Sequence, residues 1–535
     1  MPLLFAEAAK RSIKNIGKYG DTDVFPFSYE KDIFHEKENE CAAILEGMFA
    51  DFDRAISDDP PRFIQALSQV GYTGFRWTTQ IDPYWNAYYL ALVLSIADEV
   101  ESARSPITNA QVYSYRYAWN DGDSKIFSDV SWRQYKEHCL QLARDHAVVL
   151  VTDIADFYPR ISHHRIENLL QRLGINSDTK TQILKLLAIF SNGFSYGLPV
   201  GGPASRILAE LSLVNIDQHL AVDLNRSYAR YADDFTFFCD SDAEAYGTIK
   251  FLSDKLKLEG LALQKSKTRI LTQAEFIEMS RPFDQSRATS IITDEDKLLN
   301  ISIRFDPYSP TAEEDYENLR SAINEIDILS ILARELNKTV VDTSVTKQAL
   351  NAVRLLPNNT LQTGALQTIL DRNNLSTLSP VLSTVLRVVR STIPNLSNTQ
   401  RNQIDILLHD LIDAKLPQLD VDLHLMYFIQ CLAFDYTDKK EQFLVSIYNT
   451  HSNPLVRRLI ILAMAKWKRD YWLTSLRARF SDLTSWERGA VIISSYALTD
   501  EGSHWRKNSK WSWNSKELLI RDWFSSRPDT AGITV

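Results

Sequence analysis

The sequence predicts an α+β domain followed by an all-α region, and three patterns support this division. Residues 147–151 (Ala-Val-Val-Leu-Val) form a short apolar run that is typical of a buried strand. Residues 228–232 and 235–239 have the pattern of two further strands in a tight hairpin, and helical patterns separate them from the first strand. After about residue 310, strand patterns nearly disappear and helical segments follow at irregular intervals. The β-α-α-β-β order is typical of a sheet with helices on one face.

The composition is that of an ordinary globular protein with several domains. Of the 535 residues, 44% are hydrophobic and 24% are charged, and a chain of this length exceeds a single compact core. There is no run of about 18 apolar residues, so we expect no membrane span. The four cysteines lie far apart and fit neither a zinc nor a disulfide spacing. This usage favours a reducing cytoplasm.

The charge balance restricts the functions to expect. The net charge is −9 and the pI is near 5.7. A protein that grips a long nucleic acid usually has a basic surface, so the acidic balance counts against a processive enzyme on a long template. It does not exclude nucleotide chemistry, in which metal ions supply much of the positive charge.

Two adjacent carboxylates stand in the predicted hairpin turn, in the sequence Tyr231-Ala232-Asp233-Asp234. Paired carboxylates at a strand turn can hold two divalent cations about 3.5 to 4 Å apart, which is the arrangement used in phosphoryl transfer. Hard oxygen ligands suit Mg²⁺, with Mn²⁺ as an alternative. A solvated Asp-Asp turn is common, so the motif gains weight only with a third carboxylate.

Asp153 supplies the third carboxylate. It stands at the end of the buried strand, in residues 152–158 (Thr-Asp-Ile-Ala-Asp-Phe-Tyr), where a charge is costly unless it binds a partner such as a metal ion. It precedes Asp233 by 80 residues (233 − 153), which is far enough to lie on a neighbouring strand. Tyr158, five positions later, could pack under a sugar and exclude a 2′-hydroxyl. A simple strand-ending turn is the alternative interpretation.

A glycine-rich loop and a lysine-containing segment flank the hairpin in sequence. Residues 197–203 (Gly-Leu-Pro-Val-Gly-Gly-Pro) precede a helix. Glycines here, including Gly201, allow close backbone approach to a nucleotide, and a helix N-terminus favours phosphate, although an ordinary loop-to-helix cap is the commoner explanation. Residues 263–268 (Leu-Gln-Lys-Ser-Lys-Thr) could bring a lysine, Lys267, toward a leaving pyrophosphate. A solvated strand end explains that segment equally well.

Taken together, these four segments resemble the palm motifs A, B, C and D of reverse transcriptases in order and spacing. The resemblance implies an α+β fingers and palm fold with a two-metal catalytic site. By the same resemblance, Asp153 and Asp233 bind both metal ions with help from the main-chain carbonyl of Ile154, and Asp234 is a weaker ligand. Tyr158 would be the sugar gate. The resemblance therefore makes Asp153, Asp233 and Asp234 the catalytic residues.

The same resemblance implies a set of contacts to the incoming nucleotide. Arg116, in residues 113–116 (Tyr-Ser-Tyr-Arg), would be a fingers contact to the triphosphate. The residues expected to bind substrate are Arg116, Phe157, Tyr158, Gly201 and Lys267.

One departure from the usual pattern narrows the resemblance. Reverse transcriptases usually carry Gln before the loop glycine, where this chain has Val200, and the loop continues as Gly-Gly-Pro-Ala-Ser-Arg at residues 201–206. This form resembles the abortive-infection (Abi) polymerases of bacterial phage defence, most closely their prophage-encoded member. Residues 19–26 (Tyr-Gly-Asp-Thr-Asp-Val-Phe-Pro) and 80–83 (Gln-Ile-Asp-Pro) resemble that family too.

The resemblance also implies a domain plan. Residues 1–145 would form an N-terminal extension and the fingers, residues 146–285 the palm with the metal site, and residues 286–535 an all-α, HEAT-like helical-repeat domain in place of an ordinary thumb. Residues 453–458 (Asn-Pro-Leu-Val-Arg-Arg), which open an apolar helix, resemble the start of a HEAT repeat, although no strict period is visible.

Abi polymerases extend DNA without a template and prime on a hydroxyl of the protein itself. The resemblance therefore implies deoxynucleotides (dNTPs) as substrates, a covalently attached single-stranded DNA product, a homo-oligomer and a bacterial cytoplasmic location. With 22 tyrosines, the sequence does not identify the primer. Tyr29, Tyr19 and Tyr115 are candidates, and each is more commonly a packing residue.

Other functions stay open at this point. An RNA-templated reverse transcriptase is the runner-up within the same class. In another class, the chain is a scaffold whose helical domain binds a phage protein while the palm serves only as structure. Nucleotide cyclases share a palm-like sheet but lack the Gly-Leu-Pro loop, so they rank last. In the tail, aromatic and basic residues alternate over residues 505–513, which could stack single-stranded bases or, more commonly, cap a terminal repeat.

Overall fold

The computed structural model describes residues 3–224, 226–280, 293–300, 319–324, 326–356, 359–527, 533 and 535. The chain divides into two compact units. The first takes in residues 1–23, 37–63 and 79–290, and the second takes in residues 24–36, 64–78 and 291–535. The predicted boundary between residues 285 and 286 lies outside the described residues. The domain limits of the sequence analysis therefore stay a prediction.

Eight strands occur in the described part of the chain, and all of them precede residue 273. They are β1 (Phe63–Val70), β2 (Gly74–Ile81), β3 (Tyr117–Asn120), β4 (Lys125–Phe127), β5 (Val148–Asp153), β6 (Tyr228–Tyr231), β7 (Asp234–Cys239) and β8 (Arg269–Thr272). The first four form two separate hairpins, β1-β2 and β3-β4. The last four form one sheet in the order β6-β7-β5-β8. All its neighbouring strands are antiparallel.

The four-stranded sheet has a hydrophobic core on one of its faces. Tyr135, Cys139 and Leu140 of the helix Trp132–Ala143 are buried there together with Phe276 of the helix Gln273–Met279. They pack against side chains of the strands, including Phe238. The continuous apolar run of β5 fits its place between two neighbours, because a central strand is buried along its length. The three strands predicted from the apolar patterns are confirmed, with ends that move by one or two residues.

The first unit holds thirteen α-helices within the described residues. They are Phe5–Tyr19, Glu38–Ala50, Phe52–Asp58, Pro83–Leu94, Ala97–Ala103, Trp132–Ala143, Phe157–Arg160, His163–Arg172, Ser177–Phe190, Pro203–Ser212, Val214–His219, Asp242–Leu258 and Gln273–Met279. Pro203 opens its helix at the first helical position, where the missing N–H costs nothing. This helix follows the glycine-rich loop, as the sequence predicts.

The second unit is mostly helical. Its α-helices are Glu30–Glu36, Asp294–Asn300, Ile328–Leu336, Thr343–Val353, Asn359–Leu370, Arg372–Thr377, Leu382–Thr392, Asn398–Ala414, Asp422–Leu432, Asp438–Thr450, Pro454–Lys466, Asp470–Arg477, Ser485–Ser494, Thr499–Ser509 and Ser515–Ser525. From Leu382 onward, five of them pack in succession: Leu382–Thr392, Asp422–Leu432, Pro454–Lys466, Ser485–Ser494 and Ser515–Ser525. Their starts lie about 30 to 40 residues apart. The predicted loss of strands in the C-terminal part is confirmed for the residues described.

The tail segment, in which aromatic and basic residues alternate, belongs to this unit. In the tail, the ring of Trp505 lies 5.2 Å from that of Phe480 and 5.3 Å from that of Trp513, which is buried. These two tryptophans therefore pack within the unit, while Trp511 is 85% exposed. In the described part of the chain, no helix is both long and apolar enough to cross a membrane.

Candidate active site

Strand pairing brings the carboxylates of two motifs together at one end of the sheet. Asp153 is the last residue of β5, and it stands opposite Asp234, the first residue of β7. Asp233 lies in the two-residue turn between β6 and β7, where Tyr231 pairs with Asp234. The amide of Ile154 donates a hydrogen bond of 3.2 Å to the carbonyl of Asp233, which ties the end of β5 to the turn.

The three side chains form a compact cluster. One carboxylate oxygen from each of Asp153, Asp233 and Asp234 lies within 4.8 Å of the other two. Asp153 is only 5% exposed, and the other two are half-buried. Three carboxylates at this separation repel one another in a partly buried setting. The cluster is therefore costly without positive charge next to it.

Burial and the repulsion among the carboxylates raise the pKa of two of the three groups. Burial, followed by the charges of Asp153 and Asp234, raises the pKa of Asp233 to about 7. Burial, followed by the charge of Asp153, raises the pKa of Asp234 to about 6, against the opposing effect of Lys136 and Lys267. A divalent cation would relieve this repulsion, and three carboxylates are the hard oxygen donors that Mg²⁺ prefers. The residues present thus fit a divalent metal site.

Two lysines supply positive charge beside the cluster. The Nζ atom of Lys267 lies 2.6 Å from a carboxylate oxygen of Asp153. Burial alone would lower the pKa of Lys267, but the hydrogen bond and the charge of Asp153 outweigh it and raise the pKa. Lys136 acts on Asp234 through its charge, and its ammonium lies 4.6 Å from the ring centroid of Trp132. Lys136 was not predicted as a site residue, because no motif surrounds it in the sequence.

A buried ion network holds the carboxylate turn in place. Ala232 has a φ of 53°, a left-handed conformation that is strained for alanine. Its carbonyl accepts a hydrogen bond of 2.9 Å from Arg230, which is fully buried. Arg230 in turn makes a bidentate pair with Asp217, at 2.9 and 2.5 Å, and lies 3.0 Å from Glu210. No sequence pattern indicates this network, because its members are separated in the chain and none of them belongs to a motif.

The aromatic pair of the Asp153 segment lies next to the cluster. Phe157 is buried, and its ring centroid lies 5.5 Å from that of the half-buried Tyr158. Burial, with a smaller contribution from the charge of Asp233, raises the pKa of Tyr158. The carbonyl of Tyr158 accepts a hydrogen bond of 2.9 Å from Leu198, so this segment is tied to the glycine-rich loop.

The backbone of Gly201, which was predicted to approach a nucleotide, lies close to Thr22 in the structure. It has a φ of 139°, and a Cβ atom at this position would lie 2.9 Å from Oγ1 of Thr22. Its carbonyl accepts a hydrogen bond from the amide of Asp23, and the preceding carbonyl of Val200 accepts one of 3.0 Å from Thr79. Thr22 and Asp23, from the segment 19–26, and Thr79, which directly precedes the segment 80–83, therefore flank the same loop. The predicted contact with a nucleotide stays a prediction.

The side chain of Arg116 is held by partners of its own. Its side chain is 6% exposed, pairs with Glu101 and donates a hydrogen bond of 2.9 Å to the carbonyl of Ser105. Burial, followed by the charge of Arg104, lowers its pKa. Arg206, four positions into the helix region after the loop, was not singled out as a site residue. It pairs with Asp23, and its guanidinium lies 5.1 Å from the ring centroid of Tyr115.

The three priming candidates have different surroundings. Tyr29 is 4% exposed in the second unit, where its ring stacks 6.4 Å from Trp523. Tyr19 donates a hydrogen bond of 2.7 Å to the carbonyl of Asp123. Tyr115 lies beside the carboxylate turn, with its ring centroid 5.9 Å from that of Tyr231. Burial raises the pKa of Tyr115 to about 12, against the opposing charge of Arg206. Tyr115 thus packs beside a residue of the turn motif.

The region that holds this site is similar to known polymerases. Residues 106–292 match the family described as reverse transcriptase (RNA-dependent DNA polymerase). The chain is 25% identical over 181 residues to the Retron Ec86 reverse transcriptase of Escherichia coli, covering 33% of this chain and 49% of that protein. It is 30% identical over 140 residues to the Retron Mx65 reverse transcriptase of Myxococcus xanthus, covering 23% of this chain and 33% of that protein.

Among solved structures, the telomerase of Candida albicans in complex with a fragment of telomeric RNA matches with a TM-score of 0.30 and 10% identity, over 68% of this chain and 70% of that chain. A similarity of that size carries no argument about the fold. The chain spans about half the length of one curated relative and a third of the other.

The family match and the carboxylate cluster agree on the class of protein. Residues 106–292 identify a nucleotidyltransferase domain of the RNA-directed DNA polymerase type. The three carboxylates, the glycine-rich loop and Lys267 all lie inside this range. Domains of this type use divalent metal ions, and the donor set found here fits that use. The match covers about a third of the chain and does not extend to the mostly helical second unit.

Proposed function

We propose that this protein is a reverse-transcriptase-like DNA polymerase of bacterial antiphage (abortive infection) defence. In this proposal it joins deoxynucleotides without a template and starts on a hydroxyl of its own chain. The observation that carries the polymerase part is the cluster of Asp153, Asp233 and Asp234, whose oxygens lie within 4.8 Å inside the region that matches reverse transcriptases. The defence and priming parts rest on the sequence resemblance to Abi polymerases.

In the proposed reaction, a hydroxyl oxygen attacks the α-phosphorus of a deoxynucleoside triphosphate, a new P–O bond forms, and pyrophosphate leaves. Divalent cations held by Asp153, Asp233 and Asp234, with Mg²⁺ first and Mn²⁺ second, would stabilise the negative charge that develops on the phosphoryl oxygens. The main-chain carbonyl of Ile154 is proposed as a further ligand. The raised pKa of Asp233, about 7, means that this carboxylate gives up a proton when a cation binds.

The neighbouring side chains have proposed roles in holding the nucleotide. Lys267 is 63% exposed and sits on Asp153, so a bound cation would free its ammonium for the leaving pyrophosphate. Tyr158, packed against Phe157, is proposed to lie under the sugar and to exclude a 2′-hydroxyl. Gly201 and Arg116 are proposed as loop and fingers contacts, although Arg116 would first have to leave Glu101.

Tyr115 is the priming residue that we favour. Its ring lies 5.9 Å from that of Tyr231, two residues before Asp233, and this proximity to the turn supports the choice. Tyr29 is buried against Trp523 in the second unit, and Tyr19 is bonded to the carbonyl of Asp123. Both would have to leave their present partners before they could prime.

The remaining parts of the proposal concern the whole protein. The product is single-stranded DNA attached to the chain, the protein is a homo-oligomer in the bacterial cytoplasm, and the second unit is a HEAT-like array. The five helices that pack in succession from Leu382 support the array, since helical repeats stack in this way. A phage protein is a candidate partner for that array.

The test is incubation of the purified chain with Mg²⁺ and each radiolabelled deoxynucleotide, without template or primer, followed by a denaturing gel. We expect label that stays on the protein, and we expect it to disappear in Asp233→Asn. Asp240→Asn is the matched control, because Asp240 follows β7 on the exposed surface. Labelling that persists in Asp233→Asn would contradict the proposal.

An RNA-templated reverse transcriptase is the second candidate, and the identity to the two retron reverse transcriptases favours it. In the same experiment, this candidate predicts no labelled protein without RNA. With RNA added, it predicts a DNA product whose sequence is complementary to that RNA. A scaffold that binds a phage protein would give no product under either condition, and phage protection would survive Asp233→Asn.

A further inference from the structure

Among the described residues of the second unit, three cations form a group that has no ion pair with a carboxylate. Arg76 lies on β2, Lys347 lies in the helix Thr343–Val353, and Arg387 lies in the helix Leu382–Thr392. All three are exposed, and none forms an ion pair with any acidic side chain that the structure describes. Arg387 donates a hydrogen bond of 3.4 Å to Oγ1 of Thr384, and its guanidinium lies 5.9 Å from the ring centroid of Tyr427.

Hydrogen bonds near the tip of the β1-β2 hairpin fix it to the starts of both helices. Gln69 donates 2.7 Å to Oγ of Ser379, and the hydroxyl of Tyr72 donates 2.7 Å to the carbonyl of Thr377. The same hydroxyl accepts a hydrogen bond of 3.1 Å from the amide of Val341. Because the hairpin is held at these points, Arg76 is kept close to the two helices.

The cations are close enough to act on one another. Burial, followed by the charges of Arg387 and Arg76, lowers the pKa of Lys347. Asp342, the carboxylate nearest to Lys347 in sequence, caps its own helix by accepting hydrogen bonds from the amides of Ser344 and Val345. The repulsion among the three cations is therefore not relieved within the described chain. An anion with several charges would relieve it.

Two aromatic side chains flank Arg76 on the same strand. Phe75 is 52% exposed and Trp77 is 57% exposed, which is a large apolar area to leave in water. Successive residues of a strand point to opposite faces, so these two rings share one face of the hairpin while Arg76 lies on the other. A polymer that runs along the edge of the strand could place its charged groups near Arg76 and its flat rings against Phe75 and Trp77.

We propose that Phe75, Arg76, Trp77, Lys347 and Arg387 form a binding site for single-stranded DNA. The phosphates lie on the cations, and the bases stack on the two rings. A duplex encloses its bases and cannot use the rings, so the site selects a single strand. The proposal rests on the proposed function only in the choice of DNA as the ligand, since the site lies apart from the carboxylate cluster in sequence and belongs to the second unit.

The role of the cations is tested by measuring how tightly the full chain binds a fluorescent oligothymidylate of about 20 nucleotides. Binding is followed by fluorescence anisotropy at several salt concentrations and without divalent metal. The variant carries Arg76→Gln, Lys347→Gln and Arg387→Gln. Each phosphate contact contributes about 0.7 to the slope of log affinity against log salt, so the slope falls by about 2 and the affinity near 0.1 M salt falls about 100-fold. The control carries Gln at Arg372, Lys415 and Arg479, which are exposed elsewhere on the same unit.

Trp77→Ala tests the stacking, with Trp511→Ala as its control because Trp511 is 85% exposed in the tail. We expect Trp77→Ala to lose about 5-fold or more in affinity with an unchanged salt slope, because stacking does not release counterions. Unchanged affinity in the triple variant, an equal loss in its control, or equal binding of a duplex of the same length would overturn the proposal. Thermal melting confirms that each variant is folded.

The same assay with Asp233→Asn separates this site from the polymerase. We expect that variant to bind the oligonucleotide like the natural chain even when it incorporates no nucleotide. Loss of binding in Asp233→Asn would overturn the separate site. A polymerase that proves inactive leaves the binding result standing, so the two proposals fail in different ways.

Discussion

At the scale of single residues, the three carboxylates of the cluster repel one another. Either a bound proton or a bound cation reduces this repulsion, so the two compete for the same site. Asp233 and Asp234 have pKa values of about 7 and about 6, because burial and mutual repulsion disfavour their charged forms. Lys267 offsets part of this charge through its contact with Asp153. The structure thus makes metal binding, proton release and stability depend on the same three side chains.

This arrangement predicts how the stability of the metal-free protein changes with pH. Both folded-state pKa values lie above the ordinary value of 3.8. The stabilising protonated form is therefore fully present below about pH 4 and is lost as the pH rises through about 6 to 7. We expect the metal-free melting temperature of the first unit to fall over this window by on the order of 2 to 4 °C. Calorimetry in chelator measures it.

Magnesium should reverse that trend, because cation binding displaces protons and tightens as the pH rises. We expect a larger rise in melting temperature on adding Mg²⁺ at about pH 8 than at about pH 5.5. Asp233→Asn should flatten both effects, while Asp240→Asn should keep them. A metal-induced shift of equal size at both pH values would contradict this account of the cluster.

At the scale of secondary-structure elements, the positions of the strands and the turn were largely predictable from the sequence. The apolar run of β5, the hairpin of β6 and β7, and the placement of Asp153 and Asp233 at strand ends follow from local patterns. The support of the turn was not predictable, because Arg230, Asp217 and Glu210 meet only after the chain has folded. Pair contacts between distant residues leave no mark in one sequence.

The glycine-rich loop is a second element whose contacts were not predictable from the sequence, and they can be tested separately. Gly201 was expected to approach a nucleotide, and the structure shows its backbone against Thr22. Gly201→Ala should destabilise the first unit by about 1 to 3 kcal/mol, because φ is 139° and the new Cβ would lie 2.9 Å from Oγ1 of Thr22. Chemical denaturation measures the change.

Gly193→Ala is the matched control for the loop. Gly193 also has a positive φ, 82°, but apart from its chain neighbours no described residue comes within 4 Å of the position of its Cβ. It should therefore show only the cost of the backbone conformation. Equal destabilisation by the two variants would show that the contact with Thr22 adds nothing.

At the scale of the whole molecule, the acidic net charge hides local basic sites. The value of −9 argued against a long template, yet Arg76, Lys347 and Arg387 lie near one another and have no ion pair with an acidic side chain in the described chain. Composition averages over the whole surface, so it cannot report such a cluster. The division into units was also only partly accessible, since residues 24–36 and 64–78 belong to the second unit although they precede the palm in sequence.

That division bears on which tyrosine carries the product. Tyr115 lies beside the carboxylate turn in the first unit, and Tyr29 is buried in the second. If Tyr115 primes, Tyr115→Phe should remove the covalent label on the protein while an added DNA primer is still extended. Tyr29→Phe and Tyr113→Phe should keep the label, and mass spectrometry of the labelled peptide identifies the residue. Label on the Tyr115→Phe chain would exclude this tyrosine as the only primer.

The measurement that tests the central claim most directly is the rate of deoxynucleotide incorporation in two variants of one short segment. Asp153→Asn removes a member of the cluster, while Asp156→Asn removes a carboxylate three residues away that is 69% exposed and pairs with Arg160. We expect Asp153→Asn to lower the rate by about 100-fold or more. We expect Asp156→Asn to stay within about 3-fold of the natural chain, because surface ion pairs contribute little. Equal rates in the two variants would contradict the assignment of this cluster as the site of nucleotidyl transfer.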